Sequence, residues 1–378
     1  MVWSYNLLDN TRASPLVELF NIDRFFPITS RYCDFLDIVD IVHLTRTCKV
    51  LCRLYEDIKA HKCNIDRRLS LFFQNAQAFR AHSARFSAVA AGEFVHEYFD
   101  REKQGSAELH ITVEDDQRVH DLLRYLERAE GWTFDVSQPG KKPPYTSSHM
   151  DDPQIVSYTL CLSAKSRKLS SLPNSNNDQQ LAIWLITTKT PAVQAVLSQA
   201  YPSHQLAFRS WNKAYSIFPY LTFQKKLSFL PEKPRDSLDE QDLGAYCSRS
   251  GHDIFSEDAT LWNRFCQNPG RDVGDSQTWQ IHFELEDFKV LGTRDYVLDS
   301  SSFTISFWHG AVQNSSHEIK KYNLYRAHTR TLASVALKYR YVCAGTFHSW
   351  IDSVIYYKDI EGIGSSAARL TYPSVIGI

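Results

Sequence analysis

Glu108 and His110 stand two residues apart in an alternating stretch, residues 108–113. On a β-strand that spacing sends both side chains to one face. A carboxylate beside an imidazole can share a divalent ion, and the pair suits manganese or zinc better than magnesium, which takes hard oxygen ligands in octahedral geometry. Upstream lies Ala91-Gly92-Glu93, and fourteen residues, Phe94 to Ala107, separate Glu93 from Glu108. The alternative for Glu108 and His110 is a solvated strand face that holds no ligand.

The elements that must position these residues follow from periodicity. Residues 86–91 are small and apolar, as in a buried strand ending at Gly92; residues 94–100 read as a helix and 108–113 as a strand. Residues 120–130 form an amphipathic helix that Gly131 stops. Further along, 155–162 reads as a strand, 181–186 is apolar throughout and suits a strand buried on both faces, and Thr190-Pro191 starts a helix through Leu197. Residues 137–153 and 170–180 carry turn and loop residues, and the charged stretch 231–242 is a boundary or linker. Beyond it, 278–291, 302–308 and 339–355 suggest strands. No internal repeat is evident.

Before these elements, residues 14–59 are helical and short-looped, with apolar residues at 41, 44, 48, 51 and 54 forming one stripe. A second helical run over 64–85 places Ile65, Leu69, Phe72, Phe73 and Phe79 on its apolar face. Arg67, Arg68, Arg80 and Arg85 then form its solvated side. Composition adds bounds: 43% apolar residues supply a core, and 42 Lys and Arg against 43 Asp and Glu leave no global field to attract nucleic acid or an acidic membrane. The N-terminus lacks a signal-peptide pattern and no apolar run reaches the roughly 20 residues that span a bilayer. The eight cysteines include no Cys-x-x-Cys pair. They are expected to be reduced thiols of an intracellular protein, cytoplasmic or nuclear.

Residues 14–59 resemble a divergent F-box, matched at Pro15, Glu18, Leu36, Asp37, Asp40, Ile41, Leu44, Arg46, Thr47, Cys48, Lys49, Leu51 and Leu54. The wider order adds Asn64 to Leu69, Phe79-Arg80, Gly92, Phe94 and Tyr98-Phe99-Asp100-Arg101. Later come Ile186-Thr-Thr-Lys-Thr-Pro191, a block from Trp211 to Pro219 and another from Val273 to Trp279. Together these are similar to a family of fungal F-box-like proteins with a nucleotidyltransferase-like domain, over most of residues 14–279. In active nucleotidyltransferases a glycine lets backbone approach the phosphates, the adjacent serine hydrogen-bonds them, and two Asp residues two apart on a strand hold the metal. Here Gly92 remains, Glu93 stands at the serine position, Glu108 and His110 replace the Asp pair, and 181–186 offers no third carboxylate. Glu93 would repel a phosphate by about 1 to 4 kcal/mol at contact distance.

The resemblance implies an α/β protein with an F-box-like helical module (14–60), a nucleotidyltransferase-like domain (61–230) and a mixed, strand-rich C-terminal extension (243–378) that can pack on the preceding domain. It implies a non-catalytic interaction protein with no cofactor, whose stripe Ile41, Leu44, Cys48, Leu51 and Leu54 docks the adaptor subunit of a cullin-type ubiquitin ligase. The alternatives are a divergent nucleotidyltransferase using Glu108 with magnesium or manganese and a nucleotide, and an accessory or regulatory protein of a fungal gene cluster.

Other groupings carry less chemistry. Cys48, Cys52, His61 and Cys63 lack the spacing of a known zinc finger and read as core. Residues 362–366 lack a nucleophile elbow, and Lys141-Lys142 make a thin basic patch. Trp211 and Trp279 are expected to fix strand packing.

Overall fold

The computed structural model describes residues 31–32, 36, 38–47, 51, 64–100, 106–134, 156–168, 180–198, 202–231, 251–254, 270–283, 295–313, 319–333 and 337–344. Helix α1 (Ile38–Thr47) lies in the F-box-like region. Helices α2 (Ile65–Leu69) and α3 (Ala76–Phe86) follow, and asparagine opens each: Asn64 accepts from the Arg67 N–H at 3.0 Å and Asn75 from the Ala78 N–H at 2.9 Å. The helical run read over 64–85 is therefore two helices, and its five apolar residues are all buried. Its arginines divide. Arg67 and Arg85 are exposed, whereas Arg80 is 2% exposed, which corrects its assignment to a solvated face.

After α3 come β1 (Val89–Ala91), α4 (Glu93–Asp100), β2 (Glu108–Glu114) and α5 (Gln117–Arg128). Asp116 caps α5 through the Arg118 N–H, and Gly131, with φ of 73°, takes the chain away from its end. Next are β3 (Thr133–Phe134), β4 (Val156–Lys168), β5 (Gln180–Thr188) and α6 (Ala192–Ser198). The short strands β6 (Ala207–Arg209), β7 (Lys213–Ser216) and β8 (Leu230–Pro231) follow, with a single wide turn, Tyr220–Gln224, before β8. The remaining elements are β9 (Gly270–Asp272), β10 (Trp279–His282), α7 (Asp295–Asp299), β11 (Ser302–Gln313), β12 (Ile319–Leu332) and β13 (Tyr341–Ala344).

Two mixed sheets organise these elements. The first has eight strands in the order β10-β7-β6-β1-β2-β5-β4-β3, with β2 and β5 parallel and every other pair antiparallel. The second runs β13-β12-β11-β9, and β8 pairs in parallel with β12. The α/β class thus holds. The strands around the expected 231–242 boundary are interleaved: β8, before it, joins the second sheet, and β10, after it, completes the first.

Each face of the first sheet is covered. Alternation on β2 sends Leu109, Ile111 and Val113, all fully buried, toward α2 to α5, where they meet Phe79, Phe94, Leu122 and Leu126. The opposite face, with Val89, Ala91, Phe208 and Tyr215, packs on α6 and on Phe303, Ile305 and Tyr325 of the second sheet. No helix among the described residues is long and apolar enough to cross a membrane.

Candidate functional site

β1 ends at Ala91 and the chain turns at Gly92, whose φ of 83° glycine alone adopts readily. The Gly92 N–H donates to the Ala207 carbonyl of β6 at 3.3 Å. Its carbonyl accepts from the Val95 and His96 N–H groups at 3.1 and 3.0 Å, which opens α4 with Glu93 as a half-buried first residue. Glu97, buried on the same helix, accepts from the Ser106 N–H at 2.6 Å and so anchors the return into β2.

On β2, Glu108 and His110 share a face, with His110 Nε2 3.7 Å from Glu108 Oε2; their side chains are 33% and 11% exposed. The antiparallel register sets Ala91 opposite His110, so the Gly92–Glu93 turn and the carboxylate–imidazole pair lie at the same end of two neighbouring strands. All four residues singled out by spacing are brought together.

The third strand decides what this arrangement can hold. In the β2–β5 register Glu108 pairs with Ala182 and His110 with Trp184. Where a third carboxylate would complete a metal site there is a methyl group and a buried indole. Trp184 Nε1 is buried with no hydrogen-bond partner among the described residues, and its other neighbour is Cys161 of β4. Among the described residues no group of three His, Cys, Asp or Glu could hold a metal ion. A magnesium–triphosphate pair does not fit these side chains: one carboxylate faces an imidazole, a bulky indole flanks them, and Glu93 adds negative charge at the turn.

Of the partner stripe, Ile41 and Leu51 are buried within the chain and Leu44 is half-buried. Helix α1 lies against the Tyr220–Gln224 turn. Cys48 and Leu54 lie outside the described residues, as do Cys52, His61, Cys63, Lys141-Lys142 and residues 362–366. Trp279 packs through its ring, whereas Trp211 contributes its backbone carbonyl. Trp279 stacks on Phe223 at 5.3 Å, and the Trp211 carbonyl accepts from Arg80 Nε at 2.9 Å.

Sequence reasoning missed a histidine cluster beneath α4. His96, His204 from a short turn (Ser203–Gln205) and His252 are all buried, with ring centroids 5.4, 5.2 and 4.3 Å apart. His204 Nδ1 meets Ser228 Oγ at 2.8 Å, His252 Nε2 meets the Thr222 carbonyl at 3.2 Å, and His96 stacks on Phe223. The His204 and His252 rings lie 15° from parallel, so their in-plane lone pairs run side by side rather than converging on one ion. Burial, then the charge of His252, pushes His96 down to about 3; Asp100 opposes that shift and Lys226 adds to it. Burial, then His96 and His252, holds His204 well below the usual imidazole range. The one sequence signal was His96 on the apolar face of α4, between Phe94 and Tyr98. No protein-family profile, curated protein or solved structure matches this chain.

Proposed function

We propose that this chain is a non-catalytic interaction protein that keeps a nucleotidyltransferase-like scaffold without its chemistry. The observation that carries the reading is the pairing of Glu108 and His110 with Ala182 and Trp184 on β5, which places apolar groups where phosphoryl chemistry needs a further metal ligand. Gly92 keeps its positive φ, so the backbone frame supports the scaffold even as the side chains have changed. Calorimetry and thermal shift with ATP and magnesium or manganese test the reading, on wild type and Glu108→Ala. The expected result is no metal-dependent shift in either. A shift in wild type that is lost in Glu108→Ala would establish the divergent enzyme instead.

The partner class implied by the F-box-like pattern is the adaptor subunit of a cullin-type ubiquitin ligase. With Ile41 and Leu51 already covered, such a partner engages the stripe by displacing α1 from Tyr220–Gln224. Co-precipitation of the intact chain with the adaptor is the direct test. Association abolished by Leu44→Asp supports this partner; no association by a folded chain removes it.

A further inference from the structure

β2 carries a carboxylate at each end. Glu108 belongs to the pair with His110; Glu114 lies at the carboxyl end, in register with Thr188 of the parallel strand β5. In open α/β sheets the space beyond the carboxyl ends of parallel strands is where ligands collect, because the chain leaves there in loops that diverge around a crevice. Here β2 leaves into α5 and β5 leaves through Pro191 into α6. Between them, closed by α7 and the residues before β13, lies a cavity of about 200 Å³.

Its lining is two-sided. One wall is aliphatic, with Val193, Leu298 and Val342; the rim carries Arg118, Lys338 and Arg340, and Glu114 is the one carboxylate in the lining. Glu114 accepts from Arg118 Nη2 at 3.4 Å and is also ion-paired with Arg340 Nη1. Its side chain is only 13% exposed, so it is the fixed member of the group. Asp116 holds the other edge of Arg118, with Nε 2.6 Å from Oδ2. The two guanidiniums are thus oriented before any ligand arrives, which reduces the ordering cost of binding. Three cations against Glu114 in the lining and Asp116 beside Arg118 leave one positive charge in excess. A phosphate monoester, with about −1.5 to −2 charge at neutral pH, is drawn to that excess.

We propose that this cavity binds a small phosphate monoester, the phosphate between Arg118, Lys338 and Arg340 and a short apolar body against Val193 and Leu298. The site is distinct from the Glu108–His110 pair and does not depend on it.

Phenyl phosphate is the probe, titrated into the full-length chain by calorimetry beside inorganic phosphate and phenol. Phenyl phosphate is expected to bind with the highest affinity, and Arg118→Ala and Arg340→Ala each to weaken it about ten-fold or more, since each removes a charge-assisted contact. Lys338→Ala, at an exposed position where folding is insensitive, is expected to weaken binding as well. Arg124→Ala, on the solvated side of α5 and paired with Asp121, leaves it unchanged. Absence of binding by a folded chain overturns the proposal, as does binding indifferent to Lys338→Ala and Arg340→Ala. Equal affinity for inorganic phosphate leaves the aliphatic wall without a role and overturns the ester assignment.

Discussion

Asp66 Oδ2 meets the Arg80 guanidinium at 2.9 Å, and a second buried guanidinium, Arg209, lies over the Phe79 ring at 4.9 Å in the same cluster. Burial, then the charge of Arg80, lowers Arg209 to about 9, and Asp66 works against that shift. One carboxylate therefore serves two cations removed from water. Asp66→Asn removes the carboxylate that Arg80 meets, and denaturant unfolding should show a loss of about 3 kcal/mol, far above the typical cost of a surface change. At this scale the sequence was legible for the apolar residues and misleading for Arg80. An arginine among other arginines on a helix reads as solvated; its burial depends on the Trp211 carbonyl, 131 residues away, and no local pattern encodes that acceptor. The four residues of the Gly92 to His110 segment were legible because strand alternation and a glycine turn are local properties. The obstructing indole at position 184 was not, since it depends on the register of β5.

Helix α4 rests on three imidazoles, and this makes its seat sensitive to acid. His96 and His204 are neutral when folded, with values depressed below the ordinary 6.5. The stability they carry is complete above the unfolded value and is lost as pH falls from there toward the folded values. Going from pH 7 to pH 5, His96 withdraws about 2 kcal/mol, and His204 acts in the same direction. Besides one another and His252, the charges facing them are Asp100 and Lys226, 3.3 Å apart, which largely offset one another. Urea titrations across that pH range should show the midpoint falling, and His96→Phe, which keeps the stack on Phe223, should flatten the slope. Equal slopes in the two proteins would remove the histidines as the cause. Among the elements themselves, α5, β5 and α6 were legible from period and caps. The break between α2 and α3 was not, because apolar residues keep a helical spacing across it. Nor was β12, whose His328 to Thr331 stretch is too polar to read as a strand and is ordered by its long pairing with β11 and then with β13.

The interleaving of the sheets governs the behaviour of the whole molecule. With β8 in the second sheet and β10 in the first, neither sheet can be withdrawn without opening the other, and the shared core of Phe208, Tyr215, Phe303 and Tyr325 lies between them. Lys213 Nζ and the Tyr215 hydroxyl both reach Asp299, at 2.6 and 2.9 Å, and tie β7 to α7. Heating should give one cooperative transition, with calorimetric and van't Hoff enthalpies in agreement; two resolved transitions would contradict this. The α/β class was legible from alternating helical and strand periods. The strand exchange was not, because β-pairing between distant segments leaves no trace in local composition.

During synthesis the ribosome delivers Lys213–Ser216 well before Trp279–His282. Until the later segment emerges, β7 presents an unpaired edge with buried-type residues on its flank. The growing polypeptide therefore passes through an interval in which it can pair with the wrong strand, its own or a neighbour's. The exposed edge of β7 during synthesis is a further property that this topology sets.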